Sequence, residues 1–401
     1  MWTDTRPAAE LPRLFERGGD VISLSGGLPD LDVLPLETIS GQLSRLVRLG
    51  GKLALQYTTP HVAKALVPAV ADLMAREDGH ADADNLIPTS GSQMGLTAVA
   101  LALGAPGETI VVQTPAYPGA TAAFRTAGLE LQAAAEDAEG LDPQQLRTTV
   151  RELRAAGRTV RLLYVNPTFQ NPTGATLGVH RRTEILAACR ELDLLLVEDN
   201  PYGLLGFDGA TTPLFQALDP QQVVYLGTFS KIFAPGLRSG WIAAPEHVKH
   251  DLARVAEIIS LSPSALAQGA LAAFHSRNGW TELIDRYRDS YRERCTLMAD
   301  ALDRELGADS PWTWQRPGGG FYLWLRHRDG VDATRYARAA AAHGVSFVPG
   351  GHFSIDGEHA HGIRLCFSNV PRKKIAEGIS RLAAALAEPA ATERELAEVA
   401  G

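Results

Sequence analysis

An α/β fold with a mostly parallel sheet and a second, smaller α+β domain is what the sequence predicts. Three observations carry that expectation. Short apolar runs alternate with longer helical patterns through the middle of the chain, the mark of βαβ units. The runs end in loops rich in polar residues, as strands do at the ligand-binding edge of an open α/β sheet. After about Pro263 the pattern turns helical, then closes on a compact mixture of strands and helices.

Taken in order, residues 1–50, with turns at Gly26-Gly27 and Pro29, are expected to pack onto the smaller domain. Residues 51–284 form the larger domain. Its buried strands are Thr109–Val112, Arg161–Val165, Leu194–Val197 and Val223–Leu226, and its helices include Met94–Leu103, Asp142–Ala155 and Arg181–Glu191. Residues 285–401 form the smaller domain. A long helix over Thr281–Glu305 leads into it, followed by apolar segments Gly320–Leu325, Val345–Val348 and Ile363–Phe367 and a closing helix Arg372–Ala387. The Ala/Glu-rich end from Glu388 reads as a frayed helix or solvated tail.

Bulk chemistry narrows the function. With 45% hydrophobic and 21% charged residues over 401 positions, the chain reads as a globular protein able to bury a large core. A net charge of -8 argues against nucleic acid or an anionic membrane as the main partner. No apolar run approaches the ~18 residues of a membrane span, and the first residues lack a signal-peptide pattern. Cys189, Cys295 and Cys366 form neither a disulfide framework nor a metal-spaced cluster, so the expectation is a cytoplasmic protein without a metal. Only six of the 38 basic side chains are lysines, so any lysine needed for its amine is one of very few.

Lys231 stands out among them. It ends the segment Gly227-Thr228-Phe229-Ser230-Lys231 after a predicted strand, which puts its amine at the sheet's binding edge. A neutral lysine there can form an imine with an aldehyde. Thr228, Ser230 and Arg238 supply hydroxyls and a guanidinium suited to a phosphate. The plain alternative is an exposed loop lysine. Upstream, Thr89–Gly95 joins a strand to a helix, and free N–H groups at such a start also suit a phosphate, although many helices open with Ser and Gly as simple caps. Asp199, in Glu198–Tyr202, follows another strand and can pair with a protonated ring nitrogen, or else merely cap a turn. Asn166–Gly174 is a loop with two Asn-Pro turns at the equivalent edge.

Together the blocks "VNPTFQNPTG", "VEDNPYGLLGFDG" and "YLGTFSKIFAPGLRSGW" resemble the signatures of fold-type I aminotransferases dependent on pyridoxal 5′-phosphate. The branch most similar contains 2-aminoadipate and broad-range aminotransferases and the C-terminal half of MocR regulators. The likeness runs from Gly26-Gly27-Leu28-Pro29 to the closing helix, and with no winged-helix segment ahead of it the regulator form is not expected. The resemblance implies a seven-stranded-type sheet in the larger domain. It makes Lys231 the Schiff-base lysine and proton-shuttling base, with Asp199 on the pyridine nitrogen. Asn171 and Tyr202 bond the phenolic oxygen, Tyr117 stacks on the ring, and Ser92, Gln93, Thr228, Ser230 and Arg238 hold the phosphate. Arg364 grips the substrate carboxylate, with Gly27 and Asn171 beside it. Tyr57 matches a tyrosine that reaches the neighbouring subunit's phosphate, which implies a homodimer with shared sites. The implied reaction converts an amino acid to a 2-oxo acid, leaving pyridoxamine phosphate for a second 2-oxo acid to discharge.

One block departs from the resemblance. After Tyr57 these enzymes continue with a glycine-rich turn, whereas this chain reads Thr58-Thr59-Pro60-His61-Val62. With the less usual "GGHFSIDG" around His352, this makes His61 and His352 candidates for a rebuilt substrate pocket, set against loop drift without consequence. Two other readings accompany transamination: a lyase or carbon–carbon bond-forming enzyme using the same cofactor, and a cofactor-binding regulatory protein without turnover.

Overall fold

The computed structural model describes residues 20–57, 60–277 and 279–391. Seven strands form its main sheet, in the spatial order Leu86–Thr89, Gly240–Ala243, Val223–Thr228, Leu195–Asp199, Val160–Val165, Thr109–Gln113 and Glu130–Ala134. All run parallel except Gly240–Ala243, which is antiparallel to both neighbours. The physical reason is the short connection 229–239: it holds no crossover helix, so the strand after it returns beside its predecessor.

Burial on both faces explains why the central strands read as unbroken apolar runs. Every residue of Thr109–Gln113 and of Val223–Thr228 is buried. Alternation divides them between layers: Ile110 and Val112 join a core with Phe124, Leu226 and Ile242, whereas Val111 joins Leu146, Leu163 and Ile185 on the other side. Both layers are helical, since Ser92–Leu103 packs on Glu246–Ser260 and Pro143–Ala155 packs on Val179–Glu191.

A second sheet is fully antiparallel, in the order Trp312–Trp314, Tyr322–His327, Gly362–Cys366, Val348–Pro349. The helix Arg372–Ala387 packs against the long helix Trp280–Leu306 beside it. Residues near the N-terminus join this unit. Ile22–Ser23 pairs in parallel with Val345–Ser346, and the Cys366 amide donates to the Leu24 carbonyl at 2.8 Å. The following helix, Leu36–Gly50, lies instead against Ala265–His275.

Several details differ from the reading of the sequence. Residues 284 and 285, where the domain division was expected, lie inside Trp280–Leu306, so one continuous helix crosses that point. The segment Val345–Val348 breaks into two short pieces, one pairing with Ile22–Ser23 and the other with Gly362–Cys366. Strands Glu130–Ala134 and Gly240–Ala243 were not read from the sequence; the first is an edge strand with partly exposed residues and a broken apolar run, and the second is apolar but only four residues long. No helix among the described residues is long and apolar enough to cross a membrane.

Candidate active site

The strand ends deliver the chemistry to one edge. Val223–Thr228 leads directly to Lys231, whose Nζ donates to the Gly27 carbonyl at 2.7 Å and lies 5.4 Å from the centre of the Phe321 ring. Lys231 is half-buried, not a solvated loop lysine. Desolvation of its amine lowers its pKa to about 8; nearby Arg364 and Arg238 act in the same direction, while Cys366 and Asp199 oppose them. A lysine so placed is neutral in a useful fraction near neutral pH.

Asp199 is the last residue of its strand and is fully enclosed. Its Oδ2 accepts from the Tyr164 hydroxyl at 2.9 Å, and its backbone carbonyl accepts from Asn166 Nδ2 at 2.5 Å. Its Oδ1 is buried and has no hydrogen-bond partner. Burial raises the carboxyl pKa to about 6, against the lowering effects of the Tyr164 bond and Lys231. An unsatisfied carboxylate oxygen costs free energy unless a donor arrives, so this atom marks the place of a missing N–H.

Beside it lies a cradle for an anion. Gly91, at φ 88°, caps the helix Ser92–Leu103, and a Cβ there would stand 2.7 Å from Arg238 Nη2. Only a glycine lets the guanidinium approach this helix start so closely. Thr228 Oγ1 donates to Ser230 Oγ at 3.0 Å, and both residues are buried. The Arg238 side chain makes only long bonds, 3.4 Å each, to the Pro235 and Ser90 carbonyls. First-turn amides of Ser92 and Gln93 beside the Arg238 guanidinium, with the Thr228 and Ser230 hydroxyls at the end of the next strand but one, are group types suited to a phosphate.

Arg364 comes from the other sheet. It is buried, without a carboxylate partner among the described residues. Its Nη1 donates to Asn171 Oδ1 at 2.9 Å, Nη2 donates to the Ser25 carbonyl at 2.6 Å, and Nε is buried with no partner. The guanidinium lies 4.4 Å from the Tyr322 ring centre and 5.0 Å from that of Phe353. A stacked, desolvated guanidinium with an unpartnered Nε–H can take an incoming carboxylate. Arg364 is not a surface arginine, and its hydrogen bonds run to an amide and to backbone carbonyls.

Four phenols and amides complete the site. Tyr202, fully enclosed, shares a 3.2 Å hydroxyl contact with Tyr322. The Tyr117 hydroxyl donates to Gln93 Oε1 at 3.2 Å, and Gln93 Nε2 donates to the Gly119 carbonyl at 2.8 Å. Asn171 is anchored by its amide, which donates to Asn166 Oδ1 at 2.8 Å. A backbone bond of 2.7 Å from Ala116 to the Phe353 carbonyl ties the loop before Tyr117 to the smaller sheet's turn Gly350–Phe353. His352 lies exposed in that turn. Tyr57 is 67% exposed on the isolated chain and is not brought into this cluster. The side chain of His61 lies outside the described residues.

Comparison with known proteins gives the family. Residues 20–382 match the family described as aminotransferase class I and II. The chain belongs to that family. It is 36% identical over 382 residues to aromatic-amino-acid aminotransferase 1 of Thermococcus litoralis, covering 94% of this chain and 91% of that one. It is 32% identical over 381 residues to the 2-aminoadipate transaminase of Thermus thermophilus, covering 94% and 92%. A solved kynurenine aminotransferase of Pyrococcus horikoshii superposes with a TM-score of 0.85 at 32% identity, covering 92% of this chain and 91% of that one. As a fold-type I aminotransferase the protein uses pyridoxal phosphate and catalyses transamination of an amino acid. The residues present fit that cofactor: the orphaned Asp199 Oδ1 could accept from a pyridinium N–H, and Gly91 leaves room beside Arg238 where a phosphate could lie.

Other residues of the site were not read from the sequence as such. Tyr164 and Asn166 hold Asp199, and Phe321, Tyr322 and Phe353 wall Lys231 and Arg364. Asn166 was visible as the first polar residue after its strand. The aromatics were hidden inside "GFYLWL" and "GGHFSIDG", where an apolar residue in a strand or turn reads equally well as core.

Proposed function

We propose that Lys231 carries the cofactor and moves the proton at the substrate Cα, in an aminotransferase whose Arg364 selects α-carboxylates. The observation that carries this reading is the pair of unsatisfied buried atoms, Asp199 Oδ1 and Arg364 Nε, in two residues whose charges both act on a lysine with a pKa of about 8. Pyridoxal phosphate, when bound, supplies an aldehyde for amines and a ring that accepts electrons. Asp199, held by Tyr164, keeps a ring nitrogen protonated by its charge. Tyr202 would donate its hydroxyl to the cofactor's phenolic oxygen. Asn171, with Oδ1 turned to Arg364, has Nδ2 as the donor for that same oxygen. Ser92, Gln93, Thr228, Ser230 and Arg238 fix the phosphate, so the ring is clamped at both ends. Tyr117 covers it, and Gly27 keeps its carbonyl against the lysine. With the substrate carboxylate on Arg364, the Cα–H is presented to the freed amine of Lys231, which takes the proton as a base and returns it as an acid.

The substrates in this reading are an amino acid and a 2-oxo acid. The turn following Tyr57 and the loop at His352 set the side-chain preference. A homodimer with shared sites is supported by an open groove of about 560 Å³ lined by Leu55, Tyr57, Ala265 and Leu266, beside the exposed Ile258 and Leu261. Covering this surface with a second copy brings Tyr57 toward the partner's phosphate. Three buried, unpaired cysteines suit a reducing, cytoplasmic setting.

The direct test adds each of a panel of amino acids to cofactor-loaded protein with no acceptor present. Release of one 2-oxo acid per site, with the cofactor left as its amine form, is expected for the accepted donors. Turnover of cofactor-bound substrate with no 2-oxo acid would overturn the reading. Light scattering of the loaded protein is expected to give twice the chain mass.

A further inference from the structure

Tyr322 opens the strand Tyr322–His327, paired with Gly362–Cys366 so that it stands opposite Cys366 while Trp324 stands opposite Arg364. Its side chain is enclosed, and its hydroxyl is 3.2 Å from that of Tyr202. Two constraints hold it there. The Arg364 guanidinium lies on its ring at 4.4 Å, and a Cβ at Gly27 would stand 2.7 Å from its hydroxyl oxygen. Gly27 therefore leaves the room that this hydroxyl takes up, while its own carbonyl accepts from Lys231. The charged and titratable groups around the phenol are Arg364 and Cys366 from the facing strand and Tyr202 from the loop after Asp199, with Tyr117 next to Tyr202.

In a buried pair of phenols only one proton can lie between the two oxygens. In the structure either hydroxyl can be the donor. The choice disappears once Tyr202 gives its proton to the phenolic oxygen of the cofactor, because Tyr322 alone is then left to donate within the pair. A hydroxyl that accepts a hydrogen bond is polarised and donates more strongly. We propose that Tyr322 is a positioning residue that locks Tyr202 as donor and strengthens its bond to the cofactor's phenolic oxygen. The inference rests on the proposed roles of Lys231 and Tyr202. Its consequence is electrostatic: with the Tyr202 donor weakened, the phenolic oxygen keeps more negative charge of its own. The neighbouring nitrogen supplied by Lys231 then holds its proton to higher pH.

The test is a pH titration of the bound chromophore's absorbance in cofactor-loaded parent, Tyr322→Phe, Tyr202→Phe and the double variant. Tyr322→Phe is expected to raise the midpoint by about 0.5–1 pH unit, a roughly three- to tenfold gain in proton affinity of the size one modulated hydrogen bond gives. Tyr202→Phe should raise it further, and the double variant should match Tyr202→Phe, because Tyr322 acts only through that hydroxyl. A Tyr322→Phe midpoint equal to the parent's, or shifts that add in the double variant, overturns the proposal. A parent that takes up the cofactor without a titrating chromophore fails at Lys231 instead, and overturns the reading beneath it.

Discussion

Two buried Asp/Arg regions of this chain differ in what they leave unpaired. At Asp30 and Arg294 no buried side-chain polar atom is left without a partner. Arg294 Nη1 donates to Asp30 Oδ2 at 2.7 Å, Ser290 Oγ donates to the same oxygen at 2.7 Å, and the Asp32 amide reaches Oδ1 at 3.3 Å. Arg294 Nε meets the Val370 carbonyl at 3.1 Å. That cluster staples the N-terminal segment to the long helix and to the start of the closing helix. At Asp199 and Arg364 the equivalent atoms, Oδ1 and Nε, are buried and empty-handed. The first region is closed and structural. The second is held rigid on one side and open on the other, which is how a binding site differs from a staple.

Four substitutions break or sharpen that contrast. The largest effect belongs to the open region. Lys231→Ala is expected to reduce turnover by about 10⁴-fold, the upper range for loss of a general base, with the melting temperature close to the parent's. Asp199→Asn, which keeps the shape and removes the charge, should reduce it by about 10²–10³-fold. Steady-state kinetics beside a thermal melt check both, and a loss of stability matching the loss of rate would erase the distinction. Next comes the closed region. Arg294→Met leaves Asp30 buried without its cation and should cost about 3–5 kcal/mol in denaturant unfolding, while the folded fraction keeps the parent's cofactor absorbance.

The smallest effect lies at Glu77, next to the open region. This buried carboxyl accepts from Asn200 Nδ2 at 3.0 and 3.2 Å, and Asn200 adjoins Asp199. Burial raises its pKa from 4.5 to about 8, with the nearby Glu198 pushing the same way and the Asn200 bond and Arg182 opposing. Between those pH values the folded chain holds a proton that the unfolded chain has released, so stability falls as pH rises through the window. Glu77→Gln carries no such proton and should flatten that fall. Melting temperatures of the two proteins from pH 4.5 to 9 measure it, and parallel curves would show Glu77 ionised throughout.

The contrast also shows which residues a sequence can announce. Lys231 and Asp199 were legible because each comes at or just past the end of a strand at the binding edge of an α/β sheet, a position fixed by local pattern, and Arg238 because it is a cation close in sequence to that lysine. Arg364 was legible only through the resemblance, since an arginine inside an apolar strand has no local mark of its neighbours. Tyr164 and Tyr322 looked like core. Both are core by burial, and only their hydroxyls, 2.9 Å from Asp199 and 3.2 Å from Tyr202, give them a further part. The reading placed Tyr57 at the neighbouring subunit's phosphate, and on the single chain it stands exposed, away from the cluster.

By itself the sequence determined the alternation of strands and helices, the long helix near Thr281–Glu305, the closing helix Arg372–Ala387, and the lysine and aspartate at the sheet edge. These follow from periodicity, which is a local property of the chain. Tertiary structure alone decided that Ser25, Asn171 and Arg364 share hydrogen bonds across more than a hundred residues, and that Gly27 carries the acceptor for Lys231. It also decided which buried polar atoms stay unsatisfied. That property belongs to no residue, because whether an atom finds a partner depends on every element packed around it.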